Sequence, residues 1–118
     1  MVRVCSLALA LSLIAFATPG CAVSRENARE QAVGHVCDRY QACGSIGSGE
    51  TYSSRGDCEV KQGALWTDIW PASSCDNQIN SDELAYCLES IDHTDCSSIL
   101  DFWTTLSKCS KDQVCKGN

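Results

Sequence analysis

The chain has 118 residues, ten of them cysteine, and carries nine basic against fifteen acidic side chains for a formal net charge of −6. That length holds one domain, and an acid excess with no basic stripe excludes a face that binds DNA, RNA or anionic head groups by charge. Cysteine at about 8% is disulfide-scaffold density and points to an oxidising compartment.

Residues 4–17, VCSLALALSLIAFA, follow the lone early charge of Arg3 and precede small and turn-forming residues. A charged start, an oily run and then small residues is the order of a secretory signal. The run falls short of the roughly 20 residues that a membrane-spanning helix needs. Export removes Arg3 and Cys5, leaving nine cysteines and a net charge of −7. Residues 18–21, TPGC, read as a bacterial lipoprotein signal, in which a small residue precedes a cysteine that takes a diacylglycerol. Cleavage falls just ahead of that cysteine and the new amine is acylated. Thr18 stands where Leu is usual, and Pro19 is not the commonest choice.

On this reading residues 1–20 are the signal peptide, Cys21 is the lipidation site, 21–24 form a short tether and 25–118 are the domain. Ala22 after the anchor, in place of a retaining Asp, leans toward the outer membrane. The competing reading is ordinary cleavage after Ala15-Phe16-Ala17, which gives a secreted, inhibitor-like scaffold with Cys21 unpaired. The cysteine arithmetic favours the anchor. Without Cys21 the chain keeps an even set for four disulfides: Cys37, Cys43, Cys58, Cys75, Cys87, Cys96, Cys109 and Cys115.

Ser24 caps a first helix over 25–43, with Glu26 in its opening turn. Val33, Val36, Cys37, Tyr40 and Cys43 recur at three- and four-residue steps as its apolar stripe, and Gly44 stops it. Residues 44–52, with three glycines, form a loop. Ser53 or Ser54 caps a second helix that Pro71 ends at about Trp70. Cys58, Gln62, Leu65 and Ile69 share one of its faces, with Trp66 and Trp70 flanking it. Residues 71–80 are a loop holding Cys75. Asn80 or Ser81 caps a third helix to about Asp92, with Leu84, Cys87, Leu88 and Ile91 as its stripe. Ser97 or Ser98 caps a fourth, on which Ile99, Phe102, Trp103, Leu106 and Cys109 keep helical spacing. The tail adds one turn before Cys115. The fold class expected is all-α, a small disulfide-stapled bundle of about four helices.

So small a core needs staples. A bridge that closes a loop of 15 or more residues contributes about 3 kcal/mol or more, against a net stability of roughly 5–15 kcal/mol, so full reduction should unfold the chain. Eight cysteines allow 105 pairings. Cys37 and Cys43, on different faces of one helix, pair elsewhere. The same spacing at Cys109 and Cys115 makes a bridge between the first and last helices attractive.

The cysteine spacings lack the C-x2-C or C-x4-C pairs of zinc sites and the C-x-x-C of thiol oxidoreductases. No metal ligands and no cofactor follow from them. His35 lies off the apolar stripe, which places it in solvent. His93 sits among Glu89, Asp92 and Asp95 at a helix carboxyl end, a solvated turn lacking a calcium-loop pattern. No G-x-S-x-G and no phosphate-cradling loop is present, so no catalytic residue is assigned. Trp66 and Trp70 are core by spacing; exposed, they would form an aromatic pair for a partner.

CDRYQACGSIG (37–47), YSSRGDC (52–58) and INSDELAYCLESI (79–91), with Cys96 behind them, resemble a family of small cysteine-rich lipoproteins from myxobacterial-type, natural-product-rich bacteria. That family is labelled "natural product biosynthesis lipoprotein" and its function is unknown. The resemblance covers 35–115 and implies eight structural cysteines and an anchor. The expectation is an exported, lipid-anchored, non-enzymatic domain whose partners are the membrane, through its anchor, and an unknown protein or small molecule, not nucleic acid. An accessory enzyme or carrier in a biosynthetic pathway is the alternative.

Overall fold

Ser24, Ser54 and Asn80 stand directly ahead of the three long helices and close them by the same chemistry. A helix begins with four backbone N–H groups that have no partner inside it, and a side-chain oxygen just ahead satisfies one of them. Ser24 accepts from the Asn27 N–H at 3.0 Å, Ser54 from Asp57 at 3.1 Å and Asn80 from Glu83 at 3.0 Å. In the computed structural model, which describes residues 22–97 and 106–118, these caps open α1 (Arg25–Ala42), α2 (Arg55–Ile69) and α4 (Ser81–Asp92), with the short α3 (Ala72–Cys75) between the last two. A 3-10 turn at Leu106–Cys109 and α5 (Lys111–Val114) follow. Among the described residues there is no strand, only an isolated bridge between Ile46 and Tyr52, and the fold is all-α.

The helix ends also have local causes. Gly44 takes φ +72°, a conformation that costs side-chain-bearing residues about 1–2 kcal/mol. Its N–H reaches the Gln41 carbonyl at 3.1 Å, and the Ser45 N–H reaches Tyr40 at 2.9 Å. Together they cap the last carbonyls of α1. Pro71 ends α2 because its ring disfavours helical backbone in the residue before it. Its carbonyl then accepts from the Cys75 N–H at 2.9 Å and starts α3, a helical turn in a stretch that the sequence reads as loop.

α1 packs against α2 and α4, and α4 in turn carries the 3-10 turn and α5. The faces meet over Ala28, Ala32, Val36, Cys37 and Tyr40 of α1, and over Leu84, Cys87, Leu88 and Ile91 of α4, all buried. On α2 the buried stripe is Cys58, Gln62 and Trp66, continued by Trp70. This corrects the expected face: Leu65 and Ile69 are half-buried flanks, and the tryptophans occupy the centre. Steps of four residues turn slowly about a helix axis, so the larger rings take the inward line. Cys109 lies in the 3-10 turn. Ile99, Phe102 and Trp103, expected on that helix, lie outside the described residues, as do the signal peptide and Cys21.

Among the described residues four disulfides close the structure: Cys37–Cys58, Cys43–Cys96, Cys75–Cys115 and Cys87–Cys109, with Cα separations of 6.0, 5.4, 4.8 and 4.7 Å. None joins α1 to α5, so the expected bridge between first and last helices is not made. α1 packs on α2 and α4, which puts Cys37 against Cys58 of α2 and Cys43 against Cys96 just beyond α4. The loops span 21, 53, 40 and 22 positions, long enough for each to constrain the unfolded chain by about 3 kcal/mol or more. The tail is also tied by hydrogen bonds. Asn80 N–H donates to Val114 at 2.7 Å, Gly117 N–H to Gln78 at 2.8 Å, and the Asn80 amide to the Gly117 carbonyl at 2.7 Å.

Candidate functional site

Among the described residues, polar chemistry gathers in a buried hydrogen-bond chain and in two surface clefts. The buried chain starts at α2. Gln62, only 4% exposed, donates its amide to the Tyr52 hydroxyl at 2.8 Å and accepts from the Trp66 indole at 3.2 Å. Tyr52 meets Tyr40 edge to face with ring centroids 4.9 Å apart. Burial, then the neighbouring Tyr52, pushes the Tyr40 phenol up to about 12. Tyr52 also closes the glycine loop 44–52 on itself: its N–H donates to Ser45 at 3.2 Å and Gly47 N–H donates to Tyr52 at 2.8 Å. A polar residue on an apolar stripe was the sequence signal for Gln62. Its partners were not readable, because Tyr52 reaches it across a turn.

Trp66 and Trp70, core by their spacing in the sequence and a pair for a partner only if exposed, have no exposed surface. Their rings lie 4.6 Å apart, tilted by 51°, and the Trp70 indole donates to the Cys109 carbonyl at 2.8 Å. Both rings are core, so the partner role is withdrawn. Burying such rings contributes several kcal/mol each.

The first cleft, about 270 Å³, lies between α1 and α2 and is lined by Arg29, Glu30, Val33, Gly34, Glu59 and Gly63. Two of its three charged side chains, Arg29 and Glu59, are paired. Arg29 pairs with Glu26 and donates to the Gly63 carbonyl and the Thr67 hydroxyl, each at 3.3 Å. That guanidinium lowers the Glu26 carboxyl below its ordinary value. Arg55 fastens the same two helices. It donates to Asp38 at 2.6 Å, Glu59 at 3.0 Å and Gln41 at 3.1 Å, and the Asp38 bond is the main reason that its proton is held more tightly. Asp57 is lowered by Lys61, then by the Ser53 N–H at 3.1 Å, which it accepts in return for the cap that Ser54 gives it.

The second cleft, about 280 Å³, lies at the far end of α4 and is lined by Tyr86, Glu89, Ser90, His93 and Lys108. Tyr86 is 61% exposed, with the Lys108 ammonium 5.4 Å from its ring centroid. His93 Nε2 sits 3.8 Å from Glu89. His35 keeps 37% of its side chain exposed and holds Asp92 of α4 at 2.7 Å through Nδ1, a partner that its place off the stripe did not reveal. The acid cluster around His93 is thereby divided: Asp92 faces α1, and Glu89 faces His93. Among the described residues no group of three histidine, cysteine or acidic side chains converges in a way that could hold a metal ion.

The eight cysteines assigned to disulfides are all paired with one another, and Cys21 lies outside the described residues. Four bridges in so short a chain indicate an oxidising, extracytoplasmic setting. No described helix is long and apolar enough to cross a membrane.

A family model described as a family of unknown function, DUF6184, matches residues 37–117. The match covers more than half of the chain, which belongs to that family, and it contains all eight bridged cysteines. No curated protein matches the chain, and no solved structure does.

Proposed function

We propose that this member of a family of unknown function is a lipid-anchored, extracytoplasmic binding or accessory domain without catalysis of its own. Residues 1–20 are its signal peptide, Cys21 its lipidated residue, 21–24 its tether and 25–118 its working body. One observation carries the reading: the eight other cysteines of the exported chain are consumed in pairs among themselves. None is left for Cys21, whose odd thiol then needs a separate chemical fate. Diacylglycerol on the sulfur and a third chain on the amine would supply it, and two or more chains hold a protein stably on a bilayer.

Both clefts open at the surface, and Arg29, Glu59 and Glu89 in them have ion-pair partners on or next to their own helices, which supports binding over chemistry. Ala22 behind the anchor supports an outer-membrane address, and the resemblance to lipoproteins labelled for natural product biosynthesis supports work beside such a pathway. Intact mass of the full chain expressed in a bacterial host tests the anchor. The expected species starts at Cys21, carries acyl mass and partitions into detergent, and Cys21→Ser loses all three properties. A product that starts after Ala17 with a free thiol at Cys21 would overturn the anchor in favour of a secreted scaffold.

A further inference from the structure

The four bridges divide the molecule unequally. Cys37–Cys58 joins α1 to α2. Cys75–Cys115 and Cys87–Cys109 join α3, α4, the 3-10 turn and the tail among themselves. Cys43–Cys96 alone runs from the first group to the second. Apart from it, the only covalent link between the groups is the backbone between Cys58 and Cys75.

That bridge is also the most accessible of the four. Cys96 is exposed and Cys43 half-buried, whereas each of the others contains at least one cysteine with no exposed surface. A cation stands beside it as well: an Arg39 guanidinium nitrogen lies 4.0 Å from Cys96 Sγ, while Arg39 Nε donates to the Thr94 carbonyl at 2.6 Å. Accessibility admits an attacking thiolate, and a nearby positive charge stabilises a departing one.

We infer that Cys43–Cys96 is a thiol-exchange site, a latch between the two disulfide-closed halves that a dithiol reductant opens while the other three bridges stay shut. A thiolate of the reductant attacks Cys96 Sγ. The S–S bond breaks, the electron pair leaves on Cys43, and that sulfur takes a proton. The second thiol of the reductant, as its thiolate, then attacks the reductant's own sulfur in the mixed disulfide. Cys96 departs as a thiolate beside Arg39. The protein gains two electrons and one proton, the second proton of the dithiol goes to solvent, and the dithiol becomes a disulfide. Opening leaves α1 held to the second group by packing and by polar contacts such as His35 to Asp92 at 2.7 Å and Arg25 to Asp76, just beyond α3, at 2.9 Å, so the two groups are then joined covalently by the backbone alone.

Graded dithiothreitol, followed by alkylation and peptide mass mapping, tests this on the native protein. Label is expected on Cys43 and Cys96 at a thiol concentration about tenfold below that which opens any other pair, with helical circular dichroism retained. A dithiol oxidoreductase whose resolving cysteine is replaced by serine is expected to be trapped on Cys96. Another pair opening first, all four opening together, helicity falling with the first label, or a trap elsewhere than Cys96 would each overturn the inference. The double variant Cys43→Ala/Cys96→Ala provides a second reading: it is expected to keep native helicity and to exchange amide hydrogens faster at residues 93–97, and its failure to fold would make the bridge a plain staple.

Discussion

The indole nitrogen of Trp70 donates to the carbonyl oxygen of Cys109 at 2.8 Å, and neither residue has any exposed surface. The bond ties the end of α2 to the 3-10 turn, which Cys87 also holds through its disulfide with Cys109. Trp70→Phe keeps most of the ring and removes the donor, leaving a buried carbonyl without that partner. The expected loss is about 1–3 kcal/mol. Trp70→Ala should cost about 3–5 kcal/mol. Urea unfolding at unchanged slope measures both, and a neutral Trp70→Phe would show that the bond is idle.

Gln62 links Tyr52 and Trp66 within the core. Gln62→Leu fills similar volume but breaks both bonds, for an expected loss of about 1–3 kcal/mol. Tyr52→Phe removes one bond, at about 1 kcal/mol. Because the two share a contact, the double variant should lose less than the two single losses added together. Additive losses would show that the chain acts as separate bonds.

The pH response has two arms. The Tyr40 phenol titrates at about 12 in the fold against 10.0 ordinarily. Its folded state keeps the proton longer, so its share of stability is full below the unfolded value and is lost as pH rises from there through the folded one. Asp57 is lowered from 3.8. Its share is present above that value and is lost as pH falls below it. Denaturation midpoints followed across both ranges should fall at each end, with Tyr40→Phe flattening the alkaline fall and Asp57→Asn the acid one. A variant that leaves its arm unchanged would remove that residue from the account.

Gly44 tests the helix stop. No atom lies within 4 Å of where a Cβ would sit, and φ is +72°. Gly44→Ala is therefore a purely conformational change, expected to cost about 1–2 kcal/mol. Gly44→Asn should cost less, since Asn tolerates this conformation better. Thermal melts of the two variants order them, and equal melting of Ala and wild type would mean that the turn relaxes.

The features legible in the sequence are those decided within a few residues. Ser24, Ser54 and Asn80 declare helix starts because a cap needs only the amides just ahead of it. Gly44 and Pro71 declare stops because their own backbone limits do so. The stripe of α4 stood out for the same reason, since every third or fourth residue is oily. The partner of each cysteine was not legible, because pairing depends on which helices pack, and spacing carries no such information. The roll of α2 was hidden too. Leu65 and Ile69 compete with Trp66 and Trp70 for the inward line, and the neighbouring helices decide between them. His35 reads as a surface residue until α4 delivers Asp92 to it from 57 positions away.

The hydrogen bonds at Val114 and Gly117 set an order of events. Asn80, which opens α4, holds Gly117 through its side-chain amide and Val114 through its backbone, and Cys75 waits for Cys115. Residues 114–117 leave the ribosome after everything they fasten. The start of α4 is thus completed only by residues made after it, and the Cys75–Cys115 bridge that seals it closes only where thiols are oxidised.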